Sequence, residues 1–468
     1  MKAVLLAILT AVVICSSSHC VRLDDEVTRL PGLEEPINFR HFSGFLQAGG
    51  TRKLHYWFVE SQRSPKDDPV VVWLNGGPGC SSVLGLLTEL GPFHVTNNND
   101  TLYLNPYSWN KVANVLFLEA PAGVGFSYDT SSPSFYVSND EKTADDNYLA
   151  LLDFFRGFPE FLPNEFYISG ESYGGIYVPM LTERVLKRDN NINLKGYTVG
   201  NGALDFSLLG NGLIFFGYYH GLWGLGLWTR LTQHCCNGSV SKQACDFATA
   251  RPGSSCFHDV QEASVIIESE GLNIYNLYDR CEDDTSGRVV NPKTSYRHRG
   301  HRMLRKSLGI TTELSASEVG LTPPCIDEAR VEKYLNRPEV RAALHVQVSP
   351  LNWAPCSDVL RYQQQHSTMQ PTVKELVDSG RLRTLIYNGD VDMACNFLGD
   401  EWFVNTLGYQ PTSSYKIWKL GKQVAGFFQT YEGNITFVTV KGSGHMVPQD
   451  KPAQALKMIT NFLKNTSF

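Results

Sequence analysis

The sequence predicts an α/β protein in which helices cover a central, mostly parallel sheet and an inserted, mainly helical cap domain interrupts the chain. Six short runs rich in Val, Ile, Leu and aromatic residues are apolar on both faces, as strands of a covered parallel sheet are. Polar or glycine-rich turns follow these runs, and in open α/β sheets the ligand crevice lies at the carboxyl ends of the strands. The runs span residues 70–74, 115–118, 166–169, 197–199, 384–387 and 437–440.

The pattern changes between residues 205 and 335. This segment begins helical and aromatic, becomes cysteine-rich and then becomes basic. We interpret residues 205–335 as the cap domain, inserted into a core formed by residues 21–204 and 336–468. The stretch 288–306 is rich in Lys and Arg, and exposed loops of this kind are preferred sites of nicking. We therefore expect a two-chain mature protein, with a merely solvated basic loop as the alternative.

Length and composition indicate a folded protein without a nucleic-acid partner. The 468 residues are 42% hydrophobic and 19% charged, which allows a sizeable core. The formal net charge is -6, and no basic stripe interleaved with aromatic residues is present. Both observations argue against binding to nucleic acid.

The N-terminal segment and the cysteines predict export. An apolar run over residues 3–15 follows Lys2 and precedes small residues, which is typical of a signal peptide over residues 1–20. The run is too short to span a bilayer, and no later run reaches 18 apolar residues, so we expect no membrane anchor. Cleavage leaves nine of the eleven cysteines, hence four disulfides and one odd thiol. Glycosylation sequons begin at Asn99, Asn237, Asn434 and Asn465.

The strongest motif is Gly-Glu-Ser-Tyr-Gly at residues 170–174, which fits G-x-S-x-G. It lies between a predicted strand and the helix-like stretch 176–187, and that context is what a nucleophile elbow requires. Glycines at both ends allow a sharp turn that exposes the hydroxyl of Ser172 above the sheet. We therefore predict Ser172 as the nucleophile, with a chance occurrence in a loop as the alternative.

A serine nucleophile needs a base, and the base needs a carboxylate that orients it. His445 follows the predicted strand 437–440, and Asp392 follows the predicted strand 384–387, so both belong to the edge of the sheet that carries Ser172. Asp390 competes with Asp392, because the turn between strand and loop could present either carboxylate.

An acyl-transfer enzyme also needs two N–H donors directed at the developing oxyanion. The backbone N–H of Tyr173, directly after the nucleophile, is one candidate. The glycine-rich loop at residues 75–79 is the evident source of the second donor. An ordinary strand-to-helix turn is the alternative interpretation of that loop.

Four motifs of the sequence resemble those of the serine carboxypeptidases, including the lysosomal members of that family. The resemblance is carried by Trp-Leu-Asn-Gly-Gly-Pro-Gly-Cys-Ser-Ser at residues 73–82 and by Gly-Glu-Ser-Tyr-Gly-Gly at 170–175. Asn-Gly-Asp-Val-Asp at 388–392 and Gly-His-Met-Val-Pro at 444–448 complete it. It extends from Gly44 nearly to the C-terminus and is weaker in the cap.

The resemblance implies roles for individual residues. It implies a catalytic triad of Ser172, Asp392 and His445, an oxyanion hole of Gly77 and Tyr173, and binding of the substrate carboxylate by Asn75, Glu89 and Glu171. It favours the disulfides Cys80–Cys356, Cys235–Cys256, Cys236–Cys245 and Cys281–Cys325, with Cys395 left free. It also implies a homodimer, a lysosomal location and a complex with lysosomal β-galactosidase and neuraminidase.

We expect a carboxypeptidase that works at acid pH without a metal or other cofactor. Two glutamic acids beside a substrate carboxylate must share protons, which favours binding at low pH. The same scaffold could instead belong to an esterase or lipase. Glu89 and Glu171 argue against this alternative, because a site for an apolar acyl chain does not need acidic side chains. A partner protein that stabilises other hydrolases is the alternative from a different class.

Overall fold

A mixed sheet of eleven strands forms the centre of the fold in the computed structural model. The structure describes residues 22–96, 101–132, 135–188, 191–239, 241, 244–269, 271–281, 296–310 and 328–468. The strands are β1 (His41–Gln47), β2 (Arg52–Val59), β3 (Val70–Leu74), β4 (Phe93–Val95), β5 (Leu102–Leu104), β6 (Asn114–Leu118), β7 (Tyr128–Asp129), β8 (Tyr136–Asn139), β9 (Phe166–Ser172), β10 (Leu194–Gly202), β11 (Leu360–Gln363), β12 (Arg383–Gly389), β13 (Lys416–Leu420), β14 (Gln423–Tyr431) and β15 (Ile435–Val440).

Helices connect these strands. The α-helices are α1 (Ser82–Thr88), α2 (Asp140–Gly157), α3 (Gly174–Lys187), α4 (Phe206–Tyr219), α5 (Leu225–Cys235), α6 (Ser255–Ile267), α7 (Tyr296–Ser307), α8 (Ala329–Leu335), α9 (Pro338–Ala343), α10 (Gln370–Asp378), α11 (Phe397–Thr406), α12 (Val447–Asp450) and α13 (Pro452–Leu463). Helices α2 and α3 pack against each other, α3 packs on β9 and β10, and α11 packs on β12 and α4.

The central sheet is mostly parallel, as the sequence predicts. Its strands follow the order β1-β2-β6-β3-β9-β10-β12-β15-β14-β13, and β7 pairs with β2. The six predicted runs are the inner strands from β6 to β15, and all of them run parallel. The outer strands are antiparallel. In β3 and β6 no residue is more than 1% exposed, so both faces of the sheet are covered. These features are those of the α/β-hydrolase fold.

The chain between β10 and β12 is mainly helical in its described part. Helices α4 to α10 lie here, and the one strand described in this part, β11, pairs with β8 outside the central sheet. The basic stretch 288–306 differs from the predicted loop: residues 288–295 lie outside the described residues, and the rest belongs to α7. Met303 and Leu304 are buried, and α7 packs against α4. Burial of this apolar face explains why the segment is a helix despite its charge.

Three of the four expected disulfides are present among the described residues. They join Cys80 to Cys356, Cys235 to Cys256 and Cys236 to Cys245. Cys281 is also disulfide-bonded, and its expected partner Cys325 lies outside the described residues.

Three expected glycosylation sites are exposed. These are Asn237, Asn434 and Asn465, whereas Asn99 and the predicted signal peptide lie outside the described residues. Among the helices that the structure describes, none is long and apolar enough to cross a membrane.

Candidate active site

Ser172 lies at a sharp turn between a strand and a helix. Strand β9 ends at Ser172, α3 begins at Gly174, and Ser172 has a φ of 61°, a conformation that costs free energy in any residue except glycine. The turn also needs close backbone packing. A Cβ atom on Gly170 would lie 2.5 Å from the carbonyl oxygen of Leu74, and one on Gly175 would lie 2.5 Å from the Ala203 nitrogen. Gly170 of the motif and the adjacent Gly175 therefore allow the elbow to form.

His445 pairs with Asp392 and not with Asp390. The loops after β15 and β12 bring His445 Nδ1 to 2.7 Å from Asp392 Oδ2, and both side chains are fully buried. Asp390 instead accepts a hydrogen bond from the Gly442 N–H at 2.6 Å. Of the two carboxylates that the sequence left open, Asp392 is thus the one placed to orient the imidazole.

Asp392 is held by donors that the sequence analysis did not identify. Its carboxylate accepts hydrogen bonds from the N–H groups of Ala394 at 2.8 Å and Cys395 at 3.0 Å, and from Asn201 Nδ2 at 2.9 Å. Asn201 lies in the last residues of β10, just beyond the predicted strand 197–199. Its position at the carboxyl end of a parallel strand, at the same edge of the sheet as Asp392, could have predicted this contact.

The loop after β3 contacts the elbow directly. A Cβ atom on Gly76 would lie 2.4 Å from the nitrogen of Tyr173 and 2.6 Å from Cβ of Ser172. Gly77 has a φ of 113°, which favours glycine strongly. The loop therefore lies where Gly77 and Tyr173 could both direct N–H groups at an oxyanion.

Asn75, Glu89 and Glu171 form a buried cluster beside Ser172. Asn75 Nδ2 donates to Glu171 Oε1 at 2.9 Å and to Glu89 Oε1 at 3.2 Å. Burial raises the pKa of Glu89 to about 7, although hydrogen bonds with Asn75 and Glu171 and the charge of His445 lower it. A carboxylic acid that keeps its proton can donate a hydrogen bond to an incoming carboxylate.

A further buried carboxyl group, Asp400, lies behind the triad. Its Oδ2 accepts hydrogen bonds from Asn388 Nδ2 and from the Gly202 N–H, both at 2.9 Å. Burial raises the pKa of Asp400 to about 8, and the charge of Asp392 adds to this effect. Asp400 carries no signal in the sequence pattern, because it lies in helix α11 rather than in a turn after a strand.

The segment 272–280 covers this edge of the sheet. The His445 N–H donates to the carbonyl of Tyr275 at 2.7 Å, and the two rings lie 4.8 Å apart. Asn276 Nδ2 donates to Asp450 at 3.0 Å, and Asp450 also accepts from the Gly444 N–H at 2.6 Å. Two more main-chain hydrogen bonds, each of 3.0 Å, join Met393 to Ile274 and Leu277 to Val391.

The covering segment leaves the predicted triad almost without exposure. Ser172 is 3% exposed and His445 is 1% exposed. A cleft of about 380 Å³ remains open next to Gly77 and Tyr173. Its walls include Phe206, Tyr362 and Arg302. None of the three residues of the carboxylate cluster lines it.

The thiol of Cys395 and the possible metal-binding groups also bear on the predicted chemistry. Cys395 is a free and buried thiol, and burial raises its pKa well above the ordinary value, so the reactive thiolate is disfavoured. Within the described part of the chain, no group of His, Cys, Asp and Glu side chains is arranged to hold a metal ion.

Comparison with known proteins shows the family to which this chain belongs. Residues 31–465 match the serine carboxypeptidase family. The chain is 44% identical to the lysosomal protective protein of Mus musculus, with 95% of this chain and 94% of the relative covered. It is 40% identical to a serine carboxypeptidase of Caenorhabditis elegans, with 97% of each covered.

A solved structure supports the fold. The prohormone-processing carboxypeptidase KEX1 of Saccharomyces cerevisiae superposes with a TM-score of 0.70, at 23% identity, over 94% of this chain and 96% of that chain.

Proposed function

Because this chain belongs to the serine carboxypeptidase family and is a serine-type carboxypeptidase, we propose that it releases C-terminal residues at acid pH through an acyl-enzyme formed on Ser172. The observation that carries the acid-pH proposal is the buried cluster of Asn75, Glu89 and Glu171, the last of which directly precedes that serine in the chain. An esterase or amidase would not need protonated carboxyl groups there.

In the proposed reaction, His445 takes the proton of Ser172 as the hydroxyl attacks the scissile carbonyl. Asp392 holds the imidazole through Nδ1 and stabilises the imidazolium that forms. The N–H groups of Gly77 and Tyr173 stabilise the oxyanion. His445 then protonates the leaving amino group, and water releases the acyl group by the same steps in reverse.

The cluster would select substrates by their free carboxylate. Asn75 donates at every pH, whereas Glu89 and Glu171 can donate only while they hold protons. As pH rises, the cluster ionises and repels the substrate carboxylate. A general base must be neutral to accept a proton, so acid pH opposes the chemical step while it favours binding. Esters and amides, which lack the carboxylate, should therefore be hydrolysed with a higher pH optimum.

We also propose that the described state is a zymogen. The segment 272–280 is joined by hydrogen bonds to the loops that carry His445 and Asp392. A peptide could reach Ser172 only after this segment moves. Cleavage within residues 288–306 would free its C-terminal side, and the disulfide of Cys281 would keep the resulting chains together if Cys325 is its partner.

We further propose a lysosomal, cathepsin A-like protein that forms a homodimer. Likeness to the mouse lysosomal protective protein over 95% of the chain supports this location. The motif resemblance described in the sequence analysis implies a second role, the protection of lysosomal β-galactosidase and neuraminidase in a complex. Co-purification of both glycosidase activities with the protein from lysosomes tests that role, and purification without them contradicts it.

The preference for free C-terminal carboxylates is tested by hydrolysis of a blocked dipeptide, with and without an amidated C-terminus, across pH. We expect the free acid to be the better substrate at acid pH and the advantage to shrink toward neutral pH. Equal activity on both substrates at every pH would indicate an esterase or amidase.

A further inference from the structure

A second serine–histidine–carboxylate array lies outside the proposed active site. Its members, Ser43, His55 and Glu119, are all fully buried. His55 Nε2 lies 3.0 Å from Ser43 Oγ, and His55 Nδ1 lies 2.8 Å from Glu119 Oε2. Ser43 donates its own hydrogen to the carbonyl of Leu344 at 2.7 Å. With that hydrogen committed and no access for a substrate, Ser43 is not a second nucleophile.

Glu119 is the centre of this array and acts there as an acceptor. Its Oε1 accepts hydrogen bonds from Trp353 Nε1 at 2.8 Å and from the hydroxyl of Ser81. Its Oε2 accepts from the Phe126 N–H at 2.8 Å and faces His55. A buried carboxylate needs such donors, because each missing one would leave an uncompensated polar atom in the interior.

Ser81 connects this carboxylate to the loop that carries Gly77. Its hydroxyl caps α1 by accepting from the Val83 N–H at 3.1 Å while it donates to Glu119. The neighbouring Cys80 donates from its N–H to the carbonyl of Gly76 at 3.1 Å, which closes the turn around Gly77. Ser81 is thus linked to Gly77 through the short loop that the Cys80–Cys356 disulfide and the Ser81 N–H bond to the Pro355 carbonyl, 2.8 Å, also hold.

We propose that Glu119 is a positioning residue for the hydrolytic reaction, which fixes the Gly77 N–H relative to the elbow through its contact with Ser81. The proposal rests on the oxyanion role proposed above for Gly77. Oxyanion donors stabilise the transition state more than the bound substrate, so their displacement lowers kcat more than it raises KM.

Loss of the Glu119–Ser81 contact should leave substrate binding unchanged, because other hydrogen bonds hold Asn75 in place. Its N–H donates to Ser82 Oγ at 3.1 Å, and its Oδ1 accepts from Trp73 Nε1 at 2.8 Å. Neither contact involves Glu119. A loss of the Glu119–Ser81 contact should therefore move the oxyanion donor without dispersing the carboxylate cluster.

The test is a double-mutant cycle of Glu119→Gln and Ser81→Ala in the active, mature protein. A glutamine offers one acceptor oxygen, so it cannot serve both pairs of donors. We expect each variant to lower kcat on the order of 10- to 100-fold with KM changed less than about threefold. Because both act through one contact, the double variant should lose little more than the larger single loss.

Two matched controls separate positioning from stability. Asp68→Asn removes a buried carboxylate at the opposite end of β3, where Asp68 accepts from Ser61 Oγ at 2.6 Å. Ser254→Ala removes the serine cap of α6, which accepts from the Phe257 N–H at 3.1 Å. Both should lower the melting temperature and leave kcat unchanged.

The outcomes are distinguishable. Unchanged kcat in Glu119→Gln, or kcat losses that multiply in the double variant, would overturn the positioning role. If Glu119→Gln does not fold, Ser81→Ala alone decides, and an unchanged kcat there overturns it. Failure of the proposed function would appear separately, as a wild-type protein that does not prefer free C-terminal carboxylates.

Discussion

Replacing Glu89 and Glu171 together with glutamine should remove most of the pH dependence of peptide binding. In the wild-type cluster, burial raises the pKa of Glu89 to about 7, so this carboxyl group is protonated at acid pH and ionised above neutrality. The proton belongs to the cluster as a whole, since Asn75 and both carboxyl groups are joined by hydrogen bonds. Glutamine keeps the shape of each side chain and donates at every pH.

The size of the effect follows from the titration. If binding requires the protonated cluster, the fraction of protein molecules that can bind the peptide falls from about 0.99 at pH 5 to about 0.09 at pH 8 for a pKa of about 7. The wild-type KM for a peptide should therefore rise about tenfold over that range. In the double variant we expect a change of less than about twofold, because no group in the cluster titrates.

The assay is the steady-state hydrolysis of one blocked dipeptide and of its ester, from acid to slightly alkaline pH. The ester is the internal control: its KM should vary little with pH in either protein, because it carries no carboxylate. A wild-type pH dependence of the peptide KM that survives in the double variant would refute the cluster as the origin of acid-pH binding.

Three other predictions follow from buried groups and from the cap. Asp400→Asn should keep the hydrogen bonds at that site and remove the titration. Because the pKa of Asp400 is raised from 3.8 in the unfolded chain to about 8 in the native state, the wild-type protein loses stability as pH rises through this window. Thermal melts should therefore show the variant more stable than wild type at neutral pH, and an equal pH dependence of the two melting temperatures would contradict this. Peptide mapping without reduction should find Cys395 as a free thiol and Cys281 linked to Cys325; a linked Cys395 would refute the pairing. Mature protein should separate into two chains on a gel only after reduction, owing to a cut within residues 288–306, and a single reduced chain would refute the cut.

The inner sheet could be predicted because its strands are apolar on both faces. The prediction fixes residues 70–74 as a strand, and the structure has β3 at Val70–Leu74. The outer strands lack this signal. In β13, for example, the exposed residues Lys416 and Ile417 precede the buried Trp418, so a mixed polar and apolar pattern hides an edge strand.

The candidate site could be predicted where chemistry and strand position coincide. Ser172, Asp392 and His445 each follow or end a parallel strand, and the sheet brings such positions to one edge. The choice between Asp390 and Asp392 needed the resemblance or the structure, because two residues in one turn share the same sequence signal.

Contacts from distant parts of the chain could not be predicted. The covering segment 272–280 reaches His445 from the cap, and no local pattern marks its register. Glu119 gathers donors from Ser81 and Trp353, which lie 38 and 234 residues away. Residue type alone does not distinguish a buried glutamate that accepts several hydrogen bonds from a surface glutamate.

Covalent labelling of the mature protein tests the central claim most directly. A fluorophosphonate reacts with an activated serine hydroxyl, and mass spectrometry of the digested protein locates the adduct. We predict one adduct, on Ser172, and a Ser172→Ala variant that folds as wild type does, fails to react and loses on the order of 10⁴-fold or more in peptide hydrolysis. An adduct on another serine with Ser172 unmodified, or peptide hydrolysis retained by Ser172→Ala, would contradict the assignment of the nucleophile.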